Sequence, residues 1–283
     1  MLTLNVPDWV NRYNYPFHKY EDIPHEVFDK INELLNKKTC SEPEVSILIT
    51  AWNEEVNILR SIASLAHMET EIPFEIIVVN NNSSDKTQET INALNVRALF
   101  ENKQGCGPAR QTGQEHARGK YILLADADSF YPAKWIDEMI KTLQEKDVVV
   151  VYGRYAFISE KGYSRIKLIL IESMKNIIVE IRKFKRPFLN AYGLSMGYHA
   201  EKGKKVGFIR SNVRGSDGTM AYDLMQFGKI RQVKSPKAVI WTFPRTLQKD
   251  SNFYKALLNR IFKELARFPE YFHSKMKYHS PRE

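Results

Sequence analysis

Short, mostly apolar runs recur through the first half of the chain, at residues 45–50, 75–79, 96–100 and 121–125. Runs of this length, bounded by polar clusters, read as buried strands rather than helices. Between them apolar residues return every three or four positions. Val56, Leu59, Ile62, Ala63 and Leu65 form one stripe, with Asn53 as its expected cap. Ile91 and Leu94 mark a second helix. Ala109, Gly113 and Ala117 mark a third, behind a turn at Gly105 and Gly107. Strands alternating with helices predict an α/β fold with a mostly parallel sheet covered on both faces.

The pattern continues less regularly. Residues 132–144 read as a helix and 148–152 as another strand. Ile166, Leu170, Met174, Ile177, Ile181 and Phe184 line one side of a long amphipathic helix, with Lys167, Lys175, Asn176, Arg182 and Lys183 largely elsewhere on its wheel. Such a stripe is expected to pack on the core; a helix lying on a membrane or shaping an acceptor cleft is the alternative. An irregular stretch then leads to Gly218, a helix over 219–228 and a strand over 239–242. Residues 1–44 form a helical extension in which Pro24 opens a helix through Val27, Ile31, Leu34 and Leu35. Residues 37–43 read as a linker, and 246–283 as a helical, basic tail.

Composition narrows the class. With 43% hydrophobic and 12% aromatic residues in 283, the chain can bury a large core and is not globally disordered. No apolar run reaches the roughly 18 residues of a membrane-spanning helix, and no basic-then-apolar leader opens the chain. A cytoplasmic protein, at most peripheral at a membrane, is expected. Cys40 and Cys106 read as reduced thiols. The net charge of +9 is concentrated between Lys161 and Arg214, with Arg165, Lys167, Lys175, Arg182, Lys183, Lys185, Arg186, Lys202, Lys204, Lys205 and Arg210 between them and few acids opposing. A polyphosphate ligand or an anionic membrane would suit this excess. No nucleic-acid-binding signature accompanies it, so no nucleic acid partner is expected.

In parallel sheets ligands sit beyond the carboxyl ends of the strands. Thr50–Glu54, Asn80–Asp85 and Asp126–Asp128 all fall there, which predicts a nucleotide site. Asp126 and Asp128 stand two apart at a strand end, so their side chains are expected to share a face. Two such carboxylates repel unless a cation lies between them, and a hard divalent ion bound to a diphosphate meets that need. The amides after the second strand suit reading a base or ribose, while Asp85 reads better as a helix cap. Arg110, at a helix start, is within reach of a phosphate. Asp217 is either an N-cap or a general base. The histidines do not cluster; His199 is a weak acceptor-side candidate.

Taken in order, these motifs resemble the family 2 glycosyltransferases of GT-A fold over residues 45–245. Ala51-Trp52-Asn53-Glu54-Glu55 resembles the turn after the family's first strand, and residues 75–85 its second strand and acidic loop. Pro108-Ala109-Arg110 through Gly113 resembles its Ala-Arg-Asn-x-Gly helix. Asp126-Ala127-Asp128, followed by Pro132 and Trp135, resembles its Asp-x-Asp segment, and Gly215-Ser216-Asp217-Gly218 its Gly-Glu-Asp segment. Asn81 stands where the family has an aspartate, Trp52 where it has a tyrosine, and Ser216 where it has an acid.

The resemblance implies a nucleotide-binding half at 45–130 and an acceptor half at 131–245. It implies that Thr50, Ala51, Trp52 and Glu54 line base and ribose, that Asn81 contacts the base, and that Asp126 meets ribose or the metal shell. It further implies that Asp128 binds Mg2+ or Mn2+ and that Asp217 is the catalytic base. The implied activity is an inverting transfer from a nucleotide sugar, such as a UDP- or GDP-sugar, to a hydroxyl of a glycan, a lipid-linked acceptor or a polysaccharide precursor. Two other readings stand beside it: a nucleotidyltransferase that forms sugar nucleotides, and a non-catalytic protein binding nucleic acid or a membrane surface through the basic 161–214 region. The first would need a basic loop after the first strand, where this chain has Glu54 and Glu55.

Overall fold

The computed structural model describes residues 4–160, 163–212 and 215–245. The expected tail at 246–283 lies outside the described residues. Two short N-terminal helices, α1 (Asp8–Tyr13) and α2 (His25–Lys38), precede the alternating core. Then follow β1 (Val45–Ala51), α3 (Asn57–Ala66), β2 (Phe74–Asn80), α4 (Thr87–Asn92), β3 (Arg97–Phe100), α5 (Cys106–His116) and β4 (Tyr121–Asp126). The second half holds β5 (Ser129–Phe130), α6 (Trp135–Leu143), β6 (Val148–Tyr152), β7 (Tyr155–Phe157), α7 (Arg165–Lys185) and β8 (Met196–His199). It closes with α8 (Ala200–Val206), α9 (Ser216–Leu224), β9 (Lys229–Gln232) and β10 (Ile240–Thr242).

The main sheet has seven strands in the order β3-β2-β1-β4-β8-β6-β9. β8 runs antiparallel to both its neighbours; the other pairings are parallel. Burial on both faces explains the continuous apolar runs. Ile47 and Ile49 point into one core layer with Ile62, Leu65 and Leu123, while Leu48, Ile122 and Leu124 point into the other with Ala109 and Tyr198. Gly113 lets α5 lie close on β1: a Cβ there would fall 2.0 Å from Leu48 Cδ1. Fully burying each of these large aliphatic side chains contributes about 1.5–3 kcal/mol. A second, three-stranded sheet, β5-β10-β7, stands at the carboxyl end of β4.

The N-terminal extension packs on the domain. Phe28, Ile31 and Leu35 of α2 join the core, and Arg60 of α3 holds the carbonyls of Tyr15 and Phe17. Residues 37–43, expected as a linker, are partly ordered by contact: α2 runs to Lys38, and Thr39 bridges to Phe74. Two local expectations are corrected. Asn53 does not cap α3, whose N-cap is Val56; Asn53 is left-handed (φ 54°) and accepts a hydrogen bond from the Ser84 N–H. The helix expected from 219 begins at Ser216, so Asp217 lies in its first turn and the N-cap is Gly215. The short strands β5, β7, β8 and β9 carry too little pattern to be read from sequence.

The largest reversal concerns α7. The stripe of Ile166, Leu170, Ile177, Ile181 and Phe184 faces outward, with Ile177 61% and Phe184 78% exposed. The face on the core carries Leu168, Ile171 and Val179 together with a buried Arg165–Glu172 ion pair. Much of the basic excess between 161 and 214 is also matched locally: Lys183 pairs with Glu180, Lys205 with Glu201 and Arg210 with Glu115.

Candidate active site at the carboxyl ends of the strands

Register brings the expected residues together. Thr50 on β1 stands level with Val79 on β2 and Asp126 on β4, and Ala51 with Asn80. The loop after β1 is tied to the loop after β2. Asn53 N–H donates to Ser83 Oγ at 3.0 Å, Glu54 N–H to Thr87 Oγ1 at 2.7 Å and Glu55 N–H to Asp85 at 3.3 Å. Asp85 also accepts from the Thr87 N–H, a capping bond made from one position before the α4 cap at Lys86. Trp52 projects from this seam 57% exposed, free to stack on a ring. The loop carries no cation; the next basic side chain, Arg60, is engaged by Tyr15 and Phe17.

Asn81 is tied into the wall of the site. It is buried, and its amide N–H groups donate to the carbonyls of Glu101 and Lys103 while its oxygen accepts from Gly105 N–H. Both donors are thus used in fixing the turn that leads into α5.

That turn aims Arg110 at the carboxylates. Its guanidinium, 6% exposed, forms an ion pair with Asp217 and reaches Asp126 Oδ1 at 3.4 Å. Asp217 also accepts from Gly193 N–H at 2.8 Å. A Cβ at Gly193 would fall 1.9 Å from Arg110 Nη2 and push the guanidinium from its place. Burial works against the Arg110 charge, but Asp217 and Asp126 hold it firmly protonated. Enclosure pushes the Asp126 carboxyl up to about 7; Arg110 acts against this, and Asp128, Asp217 and Glu54 act with it. The Asp126 N–H donates to Tyr131 Oη at 2.8 Å, and that hydroxyl donates to the Leu194 carbonyl. Asp217 is therefore held by its carboxylate to α5 and the Gly193 turn, and does not cap α9.

Asp128 lies in the turn after β4 rather than on the strand, close enough to Asp126 for its charge to raise that carboxyl. Its partner is Arg245, which approaches through Nε at 2.8 Å and Nη2 at 2.5 Å. The same Nη2 donates to Glu54 Oε1 at 2.7 Å. Glu54 thus faces Asp128, with Asn57 Nδ2 on its other oxygen at 2.8 Å. Burial raises the Glu54 carboxyl, and Arg245 partly offsets this.

Arg245 carries no sequence signal. It comes near Asp128 because β10 pairs with β5, Thr242 opposite Ser129. His199, by contrast, sits opposite Tyr121 at the far end of β4 from Asp126, which removes it from the acceptor side.

The donor set suits a hard cation. Asp128 and Glu54 converge on one positive centre, and a divalent ion held by one or two carboxylates takes its remaining oxygens from phosphates. No group of three or more His, Cys, Asp or Glu side chains able to hold a metal occurs among the described residues, so water, and phosphate oxygens when a donor is bound, would complete the shell. Asp126 meets Arg110 and also feels the charges of Asp128 and Glu54.

An uncharacterized glycosyltransferase of Rickettsia prowazekii (strain Madrid E) is 37% identical over 135 residues, 45% of this chain and 41% of that protein. Glycosyltransferase AglE of Haloferax volcanii is 29% identical over 133 residues, 44% of this chain and 43% of that one. The chain thus spans less than half the length of these relatives. Among solved structures, S. aureus TarS 1-349 in complex with UDP-GlcNAc has a TM-score of 0.55 at 17% identity, covering 75% of this chain and 64% of that one. The mannosyltransferase PcManGT from Pyrobaculum calidifontis, in complex with GDP-Man and Mn2+, has a TM-score of 0.52 at 16% identity, covering 83% and 67%. Residues 46–207, more than half of the chain, match the family Glycosyl transferase family 2. With its mostly parallel sheet and its acids gathered at the strand ends, the chain belongs to glycosyl transferase family 2 and has the GT-A fold.

Proposed function

We propose that this chain transfers a sugar from a nucleoside-diphosphate donor to an acceptor hydroxyl, with inversion at the anomeric carbon. The observation that carries this reading is the sharing of one buried guanidinium, Arg110, between Asp126 at the end of β4 and Asp217 on α9. It sets a candidate base beside the strand-end carboxylates, where a donor would lie. A UDP- or GDP-sugar is the donor class, in line with the UDP-GlcNAc and GDP-Man bound by the structural neighbours.

Trp52 stacks on the base, Thr50 and Ala51 line the nucleoside, and Asn81 supports its wall. Asp126 faces the ribose or the metal shell. Asp128, with Glu54, would hold Mg2+ or Mn2+, which when bound offsets the negative charge growing on the departing diphosphate. Arg110 and Gly193 N–H orient Asp217, whose side chain keeps 18% of its surface exposed. Asp217 takes the proton from the acceptor hydroxyl. The freed oxygen attacks the anomeric carbon as the bond to the diphosphate breaks on the opposite face. One displacement suffices, so no second carboxylate serves as nucleophile.

The acceptor belongs to a glycan, a lipid-linked sugar or a polysaccharide precursor. The outward stripe of α7, flanked by Lys167, Lys183 and Lys185, supports a peripheral station on an anionic bilayer at the cytoplasmic face. No helix of the described residues is long and apolar enough to cross a membrane. The test of the function is a panel of UDP- and GDP-sugars, measured for binding and hydrolysis with and without Mn2+ or Mg2+. Metal-dependent turnover of one of them supports the reading; failure to bind any sugar nucleotide under either condition removes it.

A further inference from the structure

Arg245 sits where the metal reading of Asp128 needs a divalent ion. Its guanidinium touches Asp128 and Glu54 together, at 2.5 Å and 2.7 Å through the same nitrogen. Without it, two largely enclosed carboxylates would face each other with no cation between them. The three side chains also differ in burial. Arg245 is 41% exposed, against 18% for Asp128 and 11% for Glu54, so the cation forms the solvent side of the cluster and the acids its floor. Its main chain is anchored close by. β10 ends three residues earlier, paired with β5, and Thr242 Oγ1 donates to the Asp128 carbonyl at 3.3 Å. The side chain is therefore able to swing outward with the strand in place.

We infer that Arg245 is a tethered cation that closes the Asp128–Glu54 seat in the unloaded chain, and that a divalent ion must turn it out to bind. The inference rests on the metal reading of Asp128. Two carboxylates and one guanidinium leave a net negative charge on the seat, while a divalent ion neutralises it. The incoming ion is thus favoured by charge, and Arg245 by its covalent attachment, which keeps it at high local concentration. Arg245 is a positioning residue here: it keeps the two acids apart and correctly aimed until the ion arrives.

The experiment measures Mn2+ binding to the metal-free protein, without nucleotide, from the loss of the free Mn2+ electron paramagnetic signal. The wild type is compared with Arg245→Gln and Arg245→Lys. Arg245→Gln is expected to bind Mn2+ at least tenfold more tightly, with Arg245→Lys between. Metal-free Arg245→Gln is expected to melt below the wild type and to gain more from saturating Mn2+. Equal or weaker Mn2+ binding by Arg245→Gln overturns the inference and leaves the metal reading standing; no binding by any of the three overturns both. If Arg245→Gln fails to fold, the wild type decides. Phenylglyoxal modification of Arg245, followed by peptide mass spectrometry, is expected to speed up in saturating Mn2+, and an unchanged rate overturns the inference.

Discussion

Arg110 and Asp217 form an ion pair across 107 positions of sequence, and Asp126 lies on the other side of the same guanidinium. The pair joins α5 to α9 over the carboxyl edge of the sheet. Removing one partner of a buried pair leaves the other uncompensated, at a cost of about 3–5 kcal/mol. Arg110→Gln is accordingly expected to destabilise the fold by an amount of that order, read from the urea midpoint. Asp217→Asn keeps an oxygen for Gly193 N–H but loses the base. Donor affinity is expected to stay within a few fold while transfer falls at least about 10²-fold. A variant that transfers sugar at the wild-type rate would leave Asp217 a purely structural partner of Arg110.

Asp128→Ala is expected to abolish Mn2+ binding and nearly all transfer, and excess chelator should reproduce the effect on the wild type. The fold should survive, because Arg245 keeps Glu54 as a partner. Undiminished transfer in excess chelator would show that the leaving diphosphate is stabilised by protein cations alone.

Lys175 supplies a pH signature in stability. Its ammonium donates to the Tyr155 carbonyl at 2.6 Å and lies over the Tyr155 ring. Enclosure lowers it to about 7; Glu172 works against this, and Arg154 and Arg165 with it. Between about pH 7 and its ordinary value near 10.4 the unfolded chain holds a proton that the folded chain lacks, so stability contributed here rises with pH across that window. Lys175→Met removes this dependence. The Tm advantage of the variant over wild type should be largest below pH 7 and shrink toward pH 10. A difference that stays constant across this range would mean that Lys175 titrates normally.

The α7 stripe predicts salt-sensitive binding to anionic vesicles. Wild-type protein is expected to co-sediment with phosphatidylglycerol vesicles at low salt and to be released as salt rises. Ile177→Glu with Phe184→Glu should abolish binding while leaving Tm within a degree or two, because both side chains already face outward. No co-sedimentation of wild type even at low salt removes the membrane station; a concentration-dependent dimer lost in the double variant would assign the stripe to a second copy instead.

Much of the fold from β1 to β4 was readable along the chain because its information is local. The apolar runs at β1, β2 and β4 are buried on both faces, so each declares itself without knowledge of its neighbours. Their polar ends carry Thr50, Asn80 and Asp126, and parallel pairing in register then brings those ends level. Short strands such as β5 and β7 hold two or three residues each, too few to show a period, and only their pairing with β10 reveals them.

What the residues do to one another was decided by contacts far apart in sequence. Periodicity establishes that α7 has an apolar stripe, but not which side the rest of the chain covers. The buried Arg165–Glu172 pair on its inner face inverts the usual expectation, because two matched charges can be enclosed as a unit where one could not. Asn81 is drawn into the wall by Glu101, Lys103 and Gly105. Arg245, 191 positions from Glu54, acquires its place from one antiparallel pairing at Ser129. The chain alone determines where carboxylates collect, since strand ends follow from local pattern. Which cation each carboxylate meets depends on the folding of separate segments onto that edge, because charge pairing is set by distance in space and leaves no trace in spacing along the sequence.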